Sequence, residues 1–274
     1  MEHILELARA RRSVRSFDGG ELGAEERQAL LGFAETIENP WGLPVEFRLL
    51  DAAEHKLSSP VITGERWYLG AKIKAAPHME EAFGYSFEAA VLYAWSLGLG
   101  TTWIGGTMDR AVFARAMELQ SGERMPCVSP LGRPAARMSL RETVMRRGVK
   151  ADWREDFSAV FFDGDFSRPL SEAEAGVFAA PLCAVRHAPS AVNRQPWRVV
   201  RRGDGVHFYC RHARGYVSAA TGDLQKVDLG IAICHFALCA REQGLALDFS
   251  LADPGVLAPP DTEYIASFTL PQRP

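Results

Sequence analysis

The chain contains no CxxC pair, no HExxH and no tight set of histidines and cysteines, so neither a zinc site nor a redox dithiol is written into it. Its five cysteines, Cys127, Cys183, Cys210, Cys234 and Cys239, are odd in number and mostly in apolar surroundings, which predicts buried free thiols in a reducing compartment. No uninterrupted apolar stretch approaches the roughly 18 residues of a membrane span. The longest candidates, residues 89–99 and 229–240, contain polar groups. An excess of either charge is also missing: 31 basic against 34 acidic residues argue against nucleic-acid binding by general electrostatics. The opening "MEHILELARARR" lacks the basic-then-apolar order of a secretory signal. The expectation is a cytoplasmic protein that binds neither nucleic acid nor membrane, with a core large enough for one domain or two of about 140 residues.

What is present reads as alternating helices and strands. A first helix is predicted over residues 3–10, then an amphipathic one in "GAEERQALLGFAETI" with Leu30, Leu31, Ala34 and Ile37 on one face. "VEFRLLD" reads as a strand. Residues 51–80 are less regular, with a short strand in "RWYLGAKI"; having no obvious regular partner, the 55–80 region is expected to contribute to a substrate entrance, with Trp67 and Tyr68 as lining groups or as core. A long helix carries Phe83, Phe87, Ala90, Val91 and Ala94 on one stripe and ends at Gly98 and Gly100. "MPCVSPLG" is a further strand, and "MRRGVKADWRED" (145–156) reads as a solvated linker. The second half then offers a helix in "LSEAEAGVFAAPLCAVRHA", capped by Ser171 with Glu174 in the capping-box position. Two strands follow around an Asp-Gly turn, then a long helix in "LQKVDLGIAICHFALCAREQGLA" and a late strand in "TEYIASFTLP".

The halves echo each other in more than element order. "SFDGGEL" returns as "FFDGDFS", putting Phe17 and Phe162 145 positions apart, and "LGLG" returns as "EQGL", putting Gly98 and Gly244 146 apart. "PWGLPVEFRLL" parallels "PWRVVRR". Three weak matches in one order suggest an internal duplication, with repeats at 1–150 and 151–274 packed about an approximate two-fold axis.

Two clusters carry chemistry. In "RARRSVRSF", Arg11, Arg12, Ser13 and Arg15 set several guanidinium donors and a hydroxyl beside a helix end, a group that suits a phosphate and equally describes a solvated basic helix terminus. In "RHAPSAVNRQPW", Pro189 stops a helix, Ser190, Asn193 and Gln195 offer donors and acceptors, and Pro196 stiffens the entry to a strand. These groups match a flat heteroaromatic, or else an Asx-turn ahead of a core Trp197. "GLGTTWIGG" is a poor dinucleotide fingerprint, because it neither follows a strand nor opens a βαβ helix. His187 is expected exposed on its loop, and His235 in the core with one bonded nitrogen. Ser13 and Ser190 have no triad partners.

Taken together, Arg-x-Ser-x-Arg near the start, Pro-Ser-x-x-Asn-x-Gln-Pro-Trp between helix and strand, Gly-Leu-Gly-x-x-Trp-Ile-Gly after the central helix and a late Gly-x-Pro with arginine resemble the FMN-dependent nitroreductase family. The resemblance implies an α+β fold of the kind usually built as an intertwined homodimer with flavin at the interface. It implies that Arg11, Arg12, Ser13 and Arg15 meet the flavin phosphate and ribityl chain. Pro189, Ser190, Ala191 and Asn193, with Gln195, would lie against the ring, while Trp103, Ile104, Gly105 and Gly106 supply backbone groups near N5. Arg137, or alternatively Arg141, would return to the phosphate.

The arginine motif and the Pro-Ser loop stand in opposite halves here, as in the fused two-repeat nitroreductase group, which predicts a pseudo-dimer within one chain, one flavin site between the repeats, and no need of a second chain. The expected activity is hydride transfer from NAD(P)H through FMN to a small planar acceptor, with no catalytic side chain required. The competing readings are a flavin-binding protein with a structural or redox-sensing role and little turnover, and a structural protein whose chemistry has been lost.

Overall fold

The computed structural model describes residues 1–271. Its first part runs α1 (Ile4–Ala10), α2 (Ala24–Glu35), β1 (Val45–Asp51), α3 (Ala52–His55), β2 (Trp67–Lys74), α4 (Met79–Ser96), β3 (Gly100–Thr101), α5 (Arg110–Ala116), β4 (Glu123–Arg124), β5 (Val128–Gly132) and α6 (Leu140–Gly148). Then come α7 (Phe157–Val160), β6 (Phe161–Asp163), α8 (Ala179–His187), β7 (Trp197–Arg202), β8 (Gly205–Arg211), β9 (Val217–Ser218), β10 (Gly222–Asp223), α9 (Leu224–Glu242), β11 (Asp248–Ser250) and β12 (Thr262–Thr269). The architecture is α+β, as expected.

There are two large sheets. One has the order β1-β2-β5-β3, with β4 also paired to β2; the other has the order β11-β12-β8-β7-β6. In each, an antiparallel pair (β1 with β2, β7 with β8) is joined by a late strand (β5, β12), beside which lies the short strand that follows the long helix (β3, β11). The β7–β8 connection is a two-residue turn, Gly203-Asp204, with Gly203 at φ +58, a conformation a side chain resists.

Between the sheets lie α4 and α9, packed on each other and buried almost all round. Helices covered on every side must be apolar on every side, and the runs "AAVLYA" and "LGIAICHFAL" meet that need. Their crossing is set by two glycines. A Cβ on Gly84 would collide with the Val227 carbonyl oxygen, and a Cβ on Gly230 would collide with that of Glu81, so each helix presses its bare backbone against the other. The core around this pair reaches both sheets, from Leu69 and Leu131 in one to Phe208 and Ala266 in the other.

Three expectations are corrected. The strand expected in "RWYLGAKI" forms as β2, but it does not lack a regular partner: it is an inner strand paired with β1, β5 and β4, with Tyr68 fully buried edge-on to Phe113 and Trp67 under Arg27. The helix expected from Leu170 begins only at Ala179. Ser171 and Glu174 do form a capping box, but they cap a 3-10 turn, and Gly176 at φ +58 breaks the path. The segment read as a solvated linker, 145–156, begins with the last turn of α6 and continues as the connector to α7.

Alanine inside a helix ordinarily gains about 0.5–1 kcal/mol over glycine, and Gly32, with open space around its Cβ position, should show that gain. Gly84→Ala and Gly230→Ala should instead each cost about 1–3 kcal/mol through overpacking, as read by denaturant unfolding. Stabilisation by both would contradict the crossing described here.

Candidate functional site

The arginine motif leaves the C-terminus of α1. Arg11 is the C-cap residue, its N–H bonded to Leu7 O at 2.8 Å, and α1 packs on α8 and α9 so tightly that Arg11 is 6% exposed. Next to it, Val14 N donates to Thr101 O at 2.8 Å, which ties the motif to β3. Gly100 is needed there because a Cβ would strike Val14, so it serves close packing, while Gly98 at φ +77 ends α4.

Around Arg11 and Arg15 gather further guanidinium groups from later in the chain. Arg146 of α6 pairs with Asp152 and reaches Ser13 O at 3.4 Å. Arg154 donates to the Ala151 and Trp153 carbonyls at 2.9 and 2.8 Å, and Arg186 of α8 to Glu155 O at 2.6 Å. Burial lowers the Arg11 pKa, with Glu88 opposing and Arg146 adding to the fall. Burial also lowers that of Arg15, where Glu142 opposes and Arg146 and Arg11 add. Arg154 is pushed down to about 10 by burial and then by the charge of Arg11, with Arg186 and Arg146 contributing and Asp152 opposing.

Several nitrogens in this cluster are buried and make no hydrogen bond: Arg11 Nε, which has only the Glu88 carboxylate 3.9 Å away, Arg11 Nη1, Arg15 Nη1 and Arg154 Nε. Leaving donors on charged groups unsatisfied is expensive. A set of such donors from two distant segments of the chain is therefore the signature of an anion site.

The Pro-Ser loop lies against the same cluster. Asn193 Nδ2 donates to Lys150 O and Trp153 O at 2.8 and 3.0 Å, Arg154 Nη1 approaches Asn193 Oδ1 at 3.5 Å, and Gln195 Oε1 accepts from Glu155 N at 3.0 Å. Ser190 Oγ accepts from Gln195 N at 2.9 Å. The connector 150–155 thus carries Arg154 and grips the loop at once. Pro189 and Ala191 are half-buried in the same turn. Val192, Asn193 and Gln195 all have positive φ (51, 55 and 49), strain of about 1–2 kcal/mol per residue that clusters at functional sites.

The third segment, 103–106, is divided in its roles. Trp103 Nε1 donates to Glu88 Oε2 at 2.8 Å. Ile104 has both its N–H and its carbonyl paired with Val128, which removes it from the expected set of free backbone groups. Gly105 O accepts from Arg110 Nη2 at 2.6 Å, while its Cβ position faces Cys127 and Leu224; Gly106 is exposed. Leu224 and Asp228 stand one turn apart on α9, and Asp228 accepts Ala191 N–H at 2.9 Å, so the opening of α9 meets both loops.

Of the remaining expected residues, Arg12 is half-buried beside Arg11, Arg137 is exposed, and Arg141 turns to the Pro60 carbonyl. Among the later arginines, Arg146 is one that reaches the motif, through Ser13 O. The sequence did carry a signal for it: "RRGVKADWR" follows the late Gly-x-Pro-Ala-Ala-Arg and is rich in arginine. His235 has both nitrogens bonded, Nδ1 to Ala184 O at 3.1 Å and Nε2 to Glu88 Oε1 at 2.9 Å, so the single expected partner is corrected to two. His187 is not an exposed loop residue; it ends α8 half-buried, and burial with the charge of Arg154 lowers its pKa to about 4. All five cysteines are free and buried. Among the described residues, no helix is long and apolar enough to cross a membrane.

The family model described as "Putative TM nitroreductase" matches residues 3–240. The chain belongs to this family. Membership makes it a nitroreductase-type oxidoreductase, whose work is flavin-mediated hydride transfer with FMN. The fold is similar to the crystal structure described as a "putative nitroreductase" from Thermotoga maritima, at 20% identity and a TM-score of 0.63, over 98% of this chain and 94% of that one. An FMN-dependent nitroreductase from Clostridium difficile covers 48% of this chain and 88% of its own at 18% identity, with a TM-score of 0.42. A crystal structure described as a "Putative NADH Oxidase" from Clostridium acetobutylicum covers 48% of this chain and 89% of its own at 22% identity, also with a TM-score of 0.42. No curated protein matches the sequence. The unpartnered guanidinium nitrogens fit the phosphate of the nitroreductase cofactor.

The depressed His187 pKa has a testable consequence. Its unfolded value is near 6.5, so between about pH 6.5 and 4 the unfolded chain binds more protons, and stability falls as pH drops through that window. Thermal unfolding of His187→Gln should show a shallower fall than the parent between those limits. Parallel curves would contradict the buried neutral imidazole.

Proposed function

We propose that the chain binds one FMN between two repeats, 1–150 and 151–274, that pack as the two subunits of a nitroreductase dimer would. The reading is supported by the shared strand order of the two sheets and by the reciprocal glycine contacts. Gly84 and Gly230 are 146 positions apart, as are their partners Glu81 and Val227, so the α4–α9 crossing obeys an approximate two-fold operator. A monomer then suffices for the site.

The observation that carries the proposal is the set of buried, unpartnered guanidinium nitrogens on Arg11, Arg15 and Arg154. With Arg12, Ser13 and Arg146 they hold the phosphate end. Pro189, Ser190, Ala191, Asn193 and Gln195 border the ring on one side, and Trp103, Gly105 and Gly106 on the other. The equivalent place on the far side of the axis is filled: Trp41, after the Pro40 that matches Pro196, packs edge-on to Phe249, which lies 146 positions after Trp103, and to Tyr85. One site remains.

When bound, the flavin supplies the hydride chemistry at N5, between NAD(P)H and a small planar acceptor. The chain supplies position and field. Its arginines would neutralise the phosphate, the clamped loop would fix one ring edge, and the N–H groups of Gly105 and Gly106 would stabilise negative charge on the ring. No side chain needs to act as a general base in the hydride step.

Titration of the purified chain with FMN should end near one flavin per chain. Arg11→Met and Arg15→Met should each weaken binding by about 1.5–3 kcal/mol. Anaerobic NADH or NADPH should bleach the bound flavin. Two flavins per chain, or unchanged affinity in both variants, would contradict the site; bleaching by neither donor would favour the flavin-binding role with little turnover.

A further inference from the structure

Asp228, in the second turn of α9, is 3% exposed, and both its carboxylate oxygens lie within hydrogen-bonding distance of Ala191 N, at 2.9 and 3.1 Å. No cation compensates it. The groups that act on it are the Ala191 N–H and the like charge of Asp223, and burial drives its pKa well above the ordinary carboxylate range. Around it sit Cys127 and Cys210, whose thiols it helps to push up, after burial. An uncompensated acid in such a place is costly to keep, and a polar group that contributes nothing would be replaced at little loss.

Its partner explains its presence. Residues 189–195 hold a left-handed backbone at three non-glycine positions, including the β-branched and 62% exposed Val192 at φ 51, ψ 29. Such a path persists only when its surroundings over-determine it. The other described hydrogen bonds of this loop run within it, to the connector 150–155, from the Arg194 side chain to Tyr216, or from the Arg198 side chain of β7 to Gln195 O. The bond from Ala191 N to Asp228 ties it to the long helices of the core. One turn earlier on α9, Leu224 lies against Gly105, so a loop pinned at Ala191 keeps a fixed distance from the facing loop at 103–106.

We infer that Asp228 is a positioning residue for the flavin site: its carboxyl group accepts the Ala191 N–H from inside α9 and holds the strained 189–195 loop in the shape that receives the ring. The inference rests on the flavin reading above. A neutral carboxyl group accepts through its carbonyl oxygen as an amide does, so Asparagine can replace it in this role and leucine, of similar size, cannot.

The test compares the full chain with Asp228→Asn and Asp228→Leu, by amide hydrogen exchange over peptides covering 189–195 and by FMN titration. Asp228→Leu should exchange about tenfold faster in those peptides and bind FMN about tenfold more weakly. Asp228→Asn should stay within about twofold of the parent in both. If the leucine variant does not fold, Asp228→Ala is read by the same two measurements. Unchanged exchange and affinity on removal of the acceptor would overturn the inference, and so would an asparagine variant as damaged as the leucine one. If the parent itself takes up no FMN, the flavin reading fails, and exchange at 189–195 decides the role of Asp228 alone.

Discussion

Buried positive charge without sufficient buried negative charge is the constraint on which the site depends. Arg11, Arg15 and Arg154 are pressed into the protein with nitrogens that meet no hydrogen-bond acceptor, and burial, joined by the charge of Arg146, lowers the proton affinity of all three. Glu88 stands 3.9 Å from Arg11 Nε but already serves His235 and Trp103, and Glu142 is itself buried without a hydrogen-bond partner. A chain gains nothing in stability from such an arrangement. A bound phosphate dianion would resolve it, which is the physical sense in which the fold is unfinished without its cofactor.

That cluster could not form unless distant segments met. The α4–α9 crossing permits this: bare backbone at Gly84 and Gly230 lets the two helices approach closely, while α8 packs beside α1 and the 191–193 turn packs on α9. The chain between α6 and α7 then closes the gap, carrying Arg154 on one side and accepting the Asn193 amide on the other. Under the proposed duplication, the segment that joins the repeats is therefore also part of the only site they share, and the opposite position has been filled with Trp41, Phe249 and Tyr85.

Much of this was legible in the sequence because local patterns dictate local structure. The two long helices, the inner strands and the hairpin at residues 197–211 were readable from periodicity and turn residues, and the two motif clusters from residue type. What escaped depended on contacts between distant residues. Gly176 sits in a strong helix pattern and breaks it only through its positive φ. Arg146 and Arg154 look like ordinary solvated basic residues until α6 and the connector fold back on Ser13 and Asn193. Ile104 belongs to the expected motif, yet its backbone is spent on Val128. Glu88, His235 and Asp228 lie in helix patterns where nothing local distinguishes a core polar residue from a functional one.

The central claim is that arginines from the start of the chain and the Pro-Ser loop from its second half enclose one flavin. A crystal structure of the protein grown with FMN tests it most directly. The account predicts one flavin per chain, its phosphate among Arg11, Arg15, Arg146 and Arg154 and its ring between residues 189–195 and 103–106. A flavin bound elsewhere, or a second one against Trp41 and Phe249, would contradict it.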